Sequence, residues 1–340
     1  MHPNKPQNFI AEQINETSIK FSWSSLDNAE SYLIYVDEND PFITQNNYII
    51  IDGLETFSIH SVSISAKNIY GEGAKTVPLT VRTKIPAPTL DMYLYGMLYL
   101  NGTTVSDVNV NIFRVYIAGT NDLVITGTVE NGILKAYLWN NLQVVIGSQF
   151  DVCVVDDGLN TDIGSLEGTR TTFEVIKPLV SLNATTVQNR LISGETFPGN
   201  IEVRLYRKGI LQTTVTSLDD GTFAYELDTI DSGDGYTATT KVGTAFSSTI
   251  SYYVSTTIGE LTSENYDLGT DYVIGTYTGN VVRVALEVNL VVGAKVPVLN
   301  STDFSCAATD IITSVDDKVR VLGFDSSNRL LDRIPIEIGG

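Results

Sequence analysis

Short runs of alternating apolar and polar residues recur along the whole chain, and glycine, asparagine or aspartate separates successive runs. Three examples lie at residues 19–23, 201–205 and 318–322. Alternation places successive side chains on opposite faces of a strand, whereas hardly any stretch follows the period of a helix. Short strands at close spacing with turn residues between them are typical of β-sandwiches. We therefore expect an all-β fold.

The length of the chain, 340 residues, limits how many sandwiches it can form. At roughly 100 to 150 residues per domain, two to four domains are expected. Residues 84–88 read Lys-Ile-Pro-Ala-Pro, and the two prolines cannot donate a hydrogen bond into a sheet. Such a segment favours an extended linker. The sequence thus predicts one sandwich domain over residues 1–85.

An ordered series of residues in this first segment resembles the fibronectin type III domain. The series is Pro6, Phe9, Phe21-Ser22-Trp23, Tyr32, Gly53-Leu54, His60, Val62, Ile64, Ala66, Asn68 and Gly71-Glu72-Gly73. One position departs from the family, because His60 stands where the tyrosine of the tyrosine corner is usual. An imidazole can still donate a ring hydrogen bond to the backbone. We therefore expect a structural role for His60.

The rest of the chain repeats internally. The run at residues 194–205 has an echo about 80 residues later at 275–286, and a weaker copy lies at 101–116. Each copy is followed by a second pair of strand-like runs. A repeat of this length indicates an array of domains in which each unit buries its own core. We predict three domains, at residues 86–176, 177–256 and 257–340.

These three units resemble bacterial Ig-like repeats. The middle unit has the clearest match, with a glycine turn, a long strand, the hairpin turn Asp220-Gly221-Thr222-Phe223 and a closing Gly235-Tyr236 strand. The last unit, through residues 272–279 and 321–325, resembles the Ig-like repeats of Gram-positive surface proteins. Together with the first segment, the resemblance implies a tandem array of four immunoglobulin-like β-sandwich modules.

The charge of the chain limits its partners. Forty acidic residues against 21 basic ones give a formal net charge of -19. Such a chain repels the phosphates of nucleic acids and the surface of anionic membranes, so we expect neither nucleic acid binding nor membrane insertion. The first twenty residues also lack the cationic and apolar parts of a signal peptide.

Residues with catalytic or metal-binding chemistry are scarce. The chain has two histidines, His2 and His60, and neither is expected to lie beside a nucleophile as a Ser-His-Asp or Cys-His site requires. The two cysteines, Cys153 and Cys306, fall in different predicted domains and in apolar runs, which favours buried free thiols over a disulfide. A zinc-type site needs more Cys or His. We predict a protein without enzymatic activity, cofactor or metal.

A cluster of aspartates is the first candidate binding site. Clustered carboxylates bind calcium in some loops, but the spacing here does not match the EF-hand. Asp-Gly and Ser-Gly-Asp-Gly sequences also favour tight turns, which is the interpretation that we prefer. The members of the cluster are Asp219, Asp220, Asp228, Asp231 and Asp234.

The second candidate is the stretch at residues 92–100, Met-Tyr-Leu-Tyr-Gly-Met-Leu-Tyr-Leu. As one strand it would turn Leu94, Leu98 and Leu100 to one face and its tyrosines to the other. An exposed outer face is usually polar, whereas tyrosine is enriched in interfaces and stacks on sugars. The face is either an interface or covered by the chain itself. The interface hypothesis involves Tyr93, Tyr95 and Tyr99, and it predicts that Tyr95→Ser weakens assembly without unfolding the protein.

These features favour a bacteriophage virion component, such as a head fibre, decoration, collar or tail appendage. The chain begins with a methionine just before the first module and ends at Gly339-Gly340 after the last, so we expect a complete chain without a wall anchor. Expected partners are other virion proteins, further copies of the chain or a host cell-surface polysaccharide. The alternative is a spacer or carbohydrate-binding region of a Gram-positive surface adhesin or secreted enzyme.

Overall fold

The computed structural model describes residues 1–107, 109–156, 162 and 166–339. Residues 108, 157–161 and 163–165 of the predicted domain 86–176, and Gly340 of the predicted domain 257–340, lie outside the described residues. All 34 regular elements in the described residues are strands, which confirms the predicted all-β class of tandem Ig-like modules. No helix in the described residues is long and apolar enough to span a membrane. The chain divides into two compact units, residues 1–93 with 97–175, and residues 94–96 with 176–340.

The first unit begins with two small sheets that enclose a core. One sheet has the order β1-β2-β5 and the other the order β4-β3-β6-β7, with β8 also paired to β6. In β2, Ile19 and Phe21 are buried, and the Trp23 ring that follows packs 5.2 Å from the ring of Tyr32 on β3. The strands are β1 (Ile10–Gln13), β2 (Ile19–Ser22), β3 (Ser31–Val36), β4 (Phe42–Thr44), β5 (Tyr48–Ile51), β6 (Ile59–Asn68), β7 (Gly71–Glu72) and β8 (Leu79–Arg82).

The rest of the first unit is one bent sheet, with the order β10-β17-β15-β12-β13-β14-β11-β9 and β16 beside β15. The corner strand is β13, which pairs with β12 up to Thr128 and with β14 through Val129 and Glu130. The strands are β9 (Thr89–Leu90), β10 (Tyr93–Leu94), β11 (Tyr99–Thr103), β12 (Val110–Ile117), β13 (Leu123–Glu130), β14 (Ile133–Tyr137), β15 (Gln149–Asp156), β16 (Leu166–Glu167) and β17 (Thr171–Ile176).

The second unit holds five sheets, with the orders β18-β19-β22, β21-β20-β23-β24, β25-β27-β31, β26-β34 and β29-β28-β32-β33, the last with β30 beside β28. Its first strands are β18 (Leu179–Leu182), β19 (Leu191–Phe197), β20 (Glu202–Arg207), β21 (Ile210–Thr216), β22 (Thr222–Glu226), β23 (Gly235–Val242) and β24 (Ala245–Tyr253). Its later strands are β25 (Leu261–Ser263), β26 (Tyr266–Asp267), β27 (Tyr272–Tyr277), β28 (Arg283–Val288), β29 (Val291–Val292), β30 (Val296–Pro297), β31 (Asp303–Ala307), β32 (Val319–Phe324), β33 (Leu330–Ile336) and β34 (Ile338–Gly339).

Three glycines occupy the same place in the three repeats. Gly102, Gly194 and Gly275 each lie in a strand between two partners, and Gly194 and Gly275 face Phe223 and Phe304 in the next strand. A Cβ at these glycines would come within 2.6, 1.9 and 2.2 Å, respectively, of a carbonyl oxygen of the neighbouring strand. Only glycine allows this close approach. The internal repeat found in the sequence is therefore a structural repeat.

The sheet containing β28 and β32 is buried on both faces. Val284 and Val321 point into the core of the last module, whereas Ala285, Leu322 and Phe324 belong to the apolar cluster formed mainly by residues 180–254. Each repeat of the second unit therefore has a core, but the two cores are not separate, because residues of the last repeat complete the core of the middle one. Apolar residues on alternate positions of the strand serve two different cores.

Candidate functional site

Four charged side chains meet in the second unit, where residues of β19 approach residues of β28, β32 and β33. We call them the charge network; its members are Glu195, Glu287, Arg320 and Arg333. Arg333 Nη2 lies 2.5 Å from Glu287 Oε1, and Arg320 Nη2 lies 2.6 Å from Glu195 Oε1. Arg333 Nη1 is also 3.4 Å from Glu195 Oε1, so the two pairs are linked. Two acids and two bases leave the network neutral.

Glu287 and Arg333 are the buried members of the charge network, and Arg333 finds further acceptors. The side chain of Glu287 is 0% exposed and that of Arg333 is 3% exposed. Arg333 donates through Nη1 to Asn183 Oδ1 and through Nη2 to Ser181 Oγ, each at 2.8 Å. A buried charge costs several kcal/mol unless it is paired and hydrogen-bonded. Arg333 meets both conditions, and its partners come from both modules of the second unit.

Apolar packing surrounds the charge network. The Tyr252 ring of β24 lies 6.0 Å from the ring of Phe324 of β32. Burial, and then the nearby Glu287, raise the pKa of the Tyr252 phenol well above its usual value. Burial, together with the positive charge of Arg333, lowers the pKa of Arg320. The Tyr252 phenol therefore stays protonated at neutral pH, and the arrangement is suited to fixing two sheets together rather than to proton transfer.

Residues 92–100 do not form the single strand that the alternation predicts. β10 ends at Leu94, and a turn at Tyr95 and Gly96, where Gly96 has a φ of +105°, separates it from β11. The turn breaks the alternation of faces, so Leu98 is 49% exposed whereas Tyr93 is 2% exposed. The predicted division into a leucine face and a tyrosine face is therefore wrong.

The three tyrosines have different surroundings. Tyr93 is a core residue whose ring lies edge-on to Phe173 at 5.8 Å and whose hydroxyl donates to the Met97 carbonyl oxygen. Burial raises the pKa of Tyr93 to about 12. The half-buried Tyr95 donates its backbone N–H to the carbonyl of Ile176. Tyr93 thus cannot belong to an exposed surface, while an interface at the other two tyrosines stays a prediction.

His60 lies in a hydrogen-bonded chain that sequence reasoning missed. Its Nε2 is 2.6 Å from Ser58 Oγ and its Nδ1 is 2.6 Å from Asp37 Oδ2, so the expectation that no nucleophile neighbours a histidine is wrong. The bonds follow the order of a catalytic triad. However, Ser58 Oγ also donates to the Glu55 carbonyl, and its backbone N–H is bonded to Thr83 Oγ1 rather than open to an oxyanion. This series of hydrogen bonds connects loops with the ends of strands. His60 contributes through bonds to two side chains, whereas a bond to the backbone was expected.

The aspartates of residues 219–234 lie in separate turns with their own partners. Asp220 accepts bonds from the N–H and hydroxyl of Thr222, at 2.9 and 2.8 Å. Asp234 is buried and pairs with Arg207 Nε at 2.7 Å and Lys208 Nζ at 2.8 Å. Burial opposes ionisation of Asp234, but these two cations hold its pKa below the usual value. In the described residues, no three His, Cys, Asp or Glu side chains are grouped to hold a metal ion.

Cys153 and Cys306 are both buried free thiols, as the sequence predicts. Burial raises the pKa of Cys153 to about 11 and that of Cys306 to about 12. A thiol is a nucleophile only as the thiolate. Both cysteines therefore act as apolar core residues.

Comparison with known proteins identifies two parts of the chain. Residues 4–82 match the family model of the fibronectin type III domain, and residues 259–339 match that of a bacterial Ig domain. The chain therefore contains domains of both kinds within its all-β array, and these domain types are typically non-enzymatic.

One curated relative is the tyrosine-protein phosphatase Lar of Drosophila melanogaster, which is 29% identical over 116 residues. This match spans 31% of the present chain and 6% of the relative's length. Among solved structures, the FN5 domain of Drosophila Lar is 26% identical, with 24% of this chain and 96% of that chain covered and a TM-score of 0.22. The central fibronectin-III array of RIM-binding protein is 16% identical, with 72% and 96% covered and a TM-score of 0.23.

Proposed function

We propose that this protein is a non-catalytic structural and binding protein, in which Ig-like modules hold a binding surface in a fixed orientation. The main support is the charge network, because Arg320 and Arg333 of the last module bond to Glu195, Ser181 and Asn183 of the middle module. A spacer benefits from such a joint, since a flexible linker would let the modules turn independently. An enzyme would instead need a reactive group that a substrate can reach.

The setting that we propose is a bacteriophage virion, as a head fibre, decoration, collar or tail appendage. Its partners there would be other virion proteins or further copies of the chain, with a host cell-surface polysaccharide as a ligand. The alternative is a spacer or carbohydrate-binding region of a Gram-positive surface adhesin or secreted enzyme. A fibronectin type III domain and a bacterial Ig domain in one chain are compatible with both settings.

Localisation separates the two settings. An antibody against the whole chain is used to label purified phage particles and the cell-wall fraction from the same lysed culture. The virion proposal predicts labelling at a constant position on the particles and a fixed ratio to the major capsid protein by quantitative mass spectrometry. Label confined to the wall fraction would reject the virion setting and support the surface-protein alternative.

A further inference from the structure

Several exposed apolar side chains lie just before β11, on β14 and in the loop that follows β14. Leu98, Ile133, Tyr137 and Leu142 are 49%, 60%, 50% and 95% exposed. The half-buried rings of Tyr99 and Trp139 lie beside them in the chain. We call this surface the tyrosine patch, and its members are Leu98, Tyr99, Ile133, Tyr137, Trp139 and Leu142.

Backbone pairing joins the two tyrosines of the patch. Tyr99 of β11 is the direct partner of Tyr137 of β14, and their rings meet edge to face at 5.3 Å. The carbonyl oxygen of Leu98 accepts the N–H groups of Leu138 and Trp139 at 3.0 and 3.3 Å. These bonds hold the start of the 138–148 loop against β11. The two tyrosines of the patch therefore rest on paired strands.

The tyrosine patch is poor in charge, in contrast to the chain as a whole. Residues 131–149 contain no aspartate or glutamate and one charged residue, Lys135, whereas the protein has a net charge of -19. The exposed Glu130 of β13 is the direct partner of Ile133 and borders the patch. The Nζ of Lys135 lies 4.3 Å from the centre of the Tyr99 ring. Depletion of charge together with aromatic enrichment is the composition of interface cores. Exposed apolar patches of this kind mark binding surfaces.

We infer that the tyrosine patch binds the same patch of a second copy of this chain. Two copies with this net charge repel each other over most of their surfaces, so they approach at least cost where carboxylates are few. A two-fold contact places the patch on itself and covers the leucine and isoleucine side chains with apolar atoms. A neutral glycan could stack on the tyrosines, but it offers little to Leu98, Ile133 and Leu142, which have no polar atoms.

Sedimentation velocity of the whole chain tests this inference, over a concentration series up to about 100 μM. We expect a monomer–dimer equilibrium that shifts toward dimer when salt is raised to about 0.5 M, because salt screens the repulsion between copies. Leu142→Asp places a carboxylate in the contact and should raise the dissociation constant at least about tenfold. Tyr137→Ser, which adds no charge, should weaken the dimer as well.

Ile69→Asp is the matched control. Ile69 is 76% exposed in the turn between β6 and β7, outside the tyrosine patch, and the substitution changes net charge by the same amount. We expect it to leave the dimer unchanged, with circular dichroism checking the fold of every variant. A wild-type chain that stays monomeric at both salt concentrations would overturn the inference, as would equal weakening by Leu142→Asp and Ile69→Asp. Affinity electrophoresis in gels containing a neutral glucan tests the other occupant. A monomeric wild-type chain that is retarded by the glucan, together with a Leu142→Asp variant that is not, would show that the patch binds a glycan instead.

Discussion

At the scale of the residue, Glu287 is the most constrained charge in the second unit. It is fully buried, its partner Arg333 is nearly so, and each relies on the other for compensation of its charge. A buried ion pair stabilises a folded protein little more than apolar residues of the same shape would. Removal of one partner is nevertheless costly, because it leaves the other charge buried without compensation. Both residues belong to the last module, and Arg333 links the pair to the middle module through its bonds to Asn183 and Ser181.

Glu287→Gln removes the negative charge without changing the shape of the side chain. We expect the free energy of unfolding of the second unit to fall by about 3 kcal/mol, because Arg333 stays buried. The control is Glu226→Gln, which removes the exposed partner of Arg190 and should cost under about 1 kcal/mol. Urea unfolding followed by circular dichroism measures both. Trp23 and Trp139 lie in the first unit, so tryptophan fluorescence should not change; equal losses for the two variants would contradict the account.

The ion pairs of Asp234 should contribute to the stability of the second unit at neutral pH but not in strong acid. Lys208 and Arg207 lower the pKa of Asp234 in the folded protein. Its contribution to stability is therefore complete above the ordinary pKa of about 3.9. That contribution is lost as the pH falls through the lower pKa of the folded state. Asp234→Asn should therefore lower the free energy of unfolding at pH 7, and the difference from the unsubstituted protein should vanish in strong acid. The exposed Asp228→Asn serves as control. A difference that grows on acidification would contradict the assignment.

At the scale of the element, strands and repeats could be predicted from the sequence because alternation and glycine spacing are local signals. The turn at Gly96 could not, since residues 92–100 keep an unbroken apolar pattern across it. Ser58 and His60 are two positions apart, so an extended chain turns them to the same side, and their contact could have been inferred. Asp37 comes from another part of the module, and only the fold brings it to the ring.

The close approach of neighbouring strands at the repeat glycines can be tested by substitution. Gly194→Ala would place a Cβ 1.9 Å from the Ser181 carbonyl oxygen and against the Phe223 ring, so β18 and β19 must separate. We expect a loss of about 1–3 kcal/mol in the free energy of unfolding, the usual cost of overpacking. Gly235→Ala is the matched control, because its Cβ would make an ordinary 3.5 Å contact with Tyr253. Thermal unfolding compares the two; a similar midpoint for both variants would argue against the close approach.

At the scale of the whole molecule, residues 176–340 lie in one compact unit, in which the sheet of β28 and β32 serves two cores. The sequence carried a signal for this, since β32 has apolar residues at successive positions up to Phe324, as strands covered on both faces do. What covers the second face could not be predicted, because the covering residues belong to the preceding module, at residues 180–254. The charge network could not be predicted for the same reason. The alternation of β32 predicts a solvent-exposed Arg320, and only the fold brings Glu195 of β19 to it.

Native-state hydrogen exchange of the whole chain, measured as denaturant is raised, tests this joint most directly. If the charge network and the shared core join the two modules, the amides of β19, β28 and β32 should converge on one opening free energy. Glu287→Gln should then lower that value equally in all three strands. Two distinct opening free energies, with Glu287→Gln affecting β28 and β32 while β19 keeps its protection, would contradict the account.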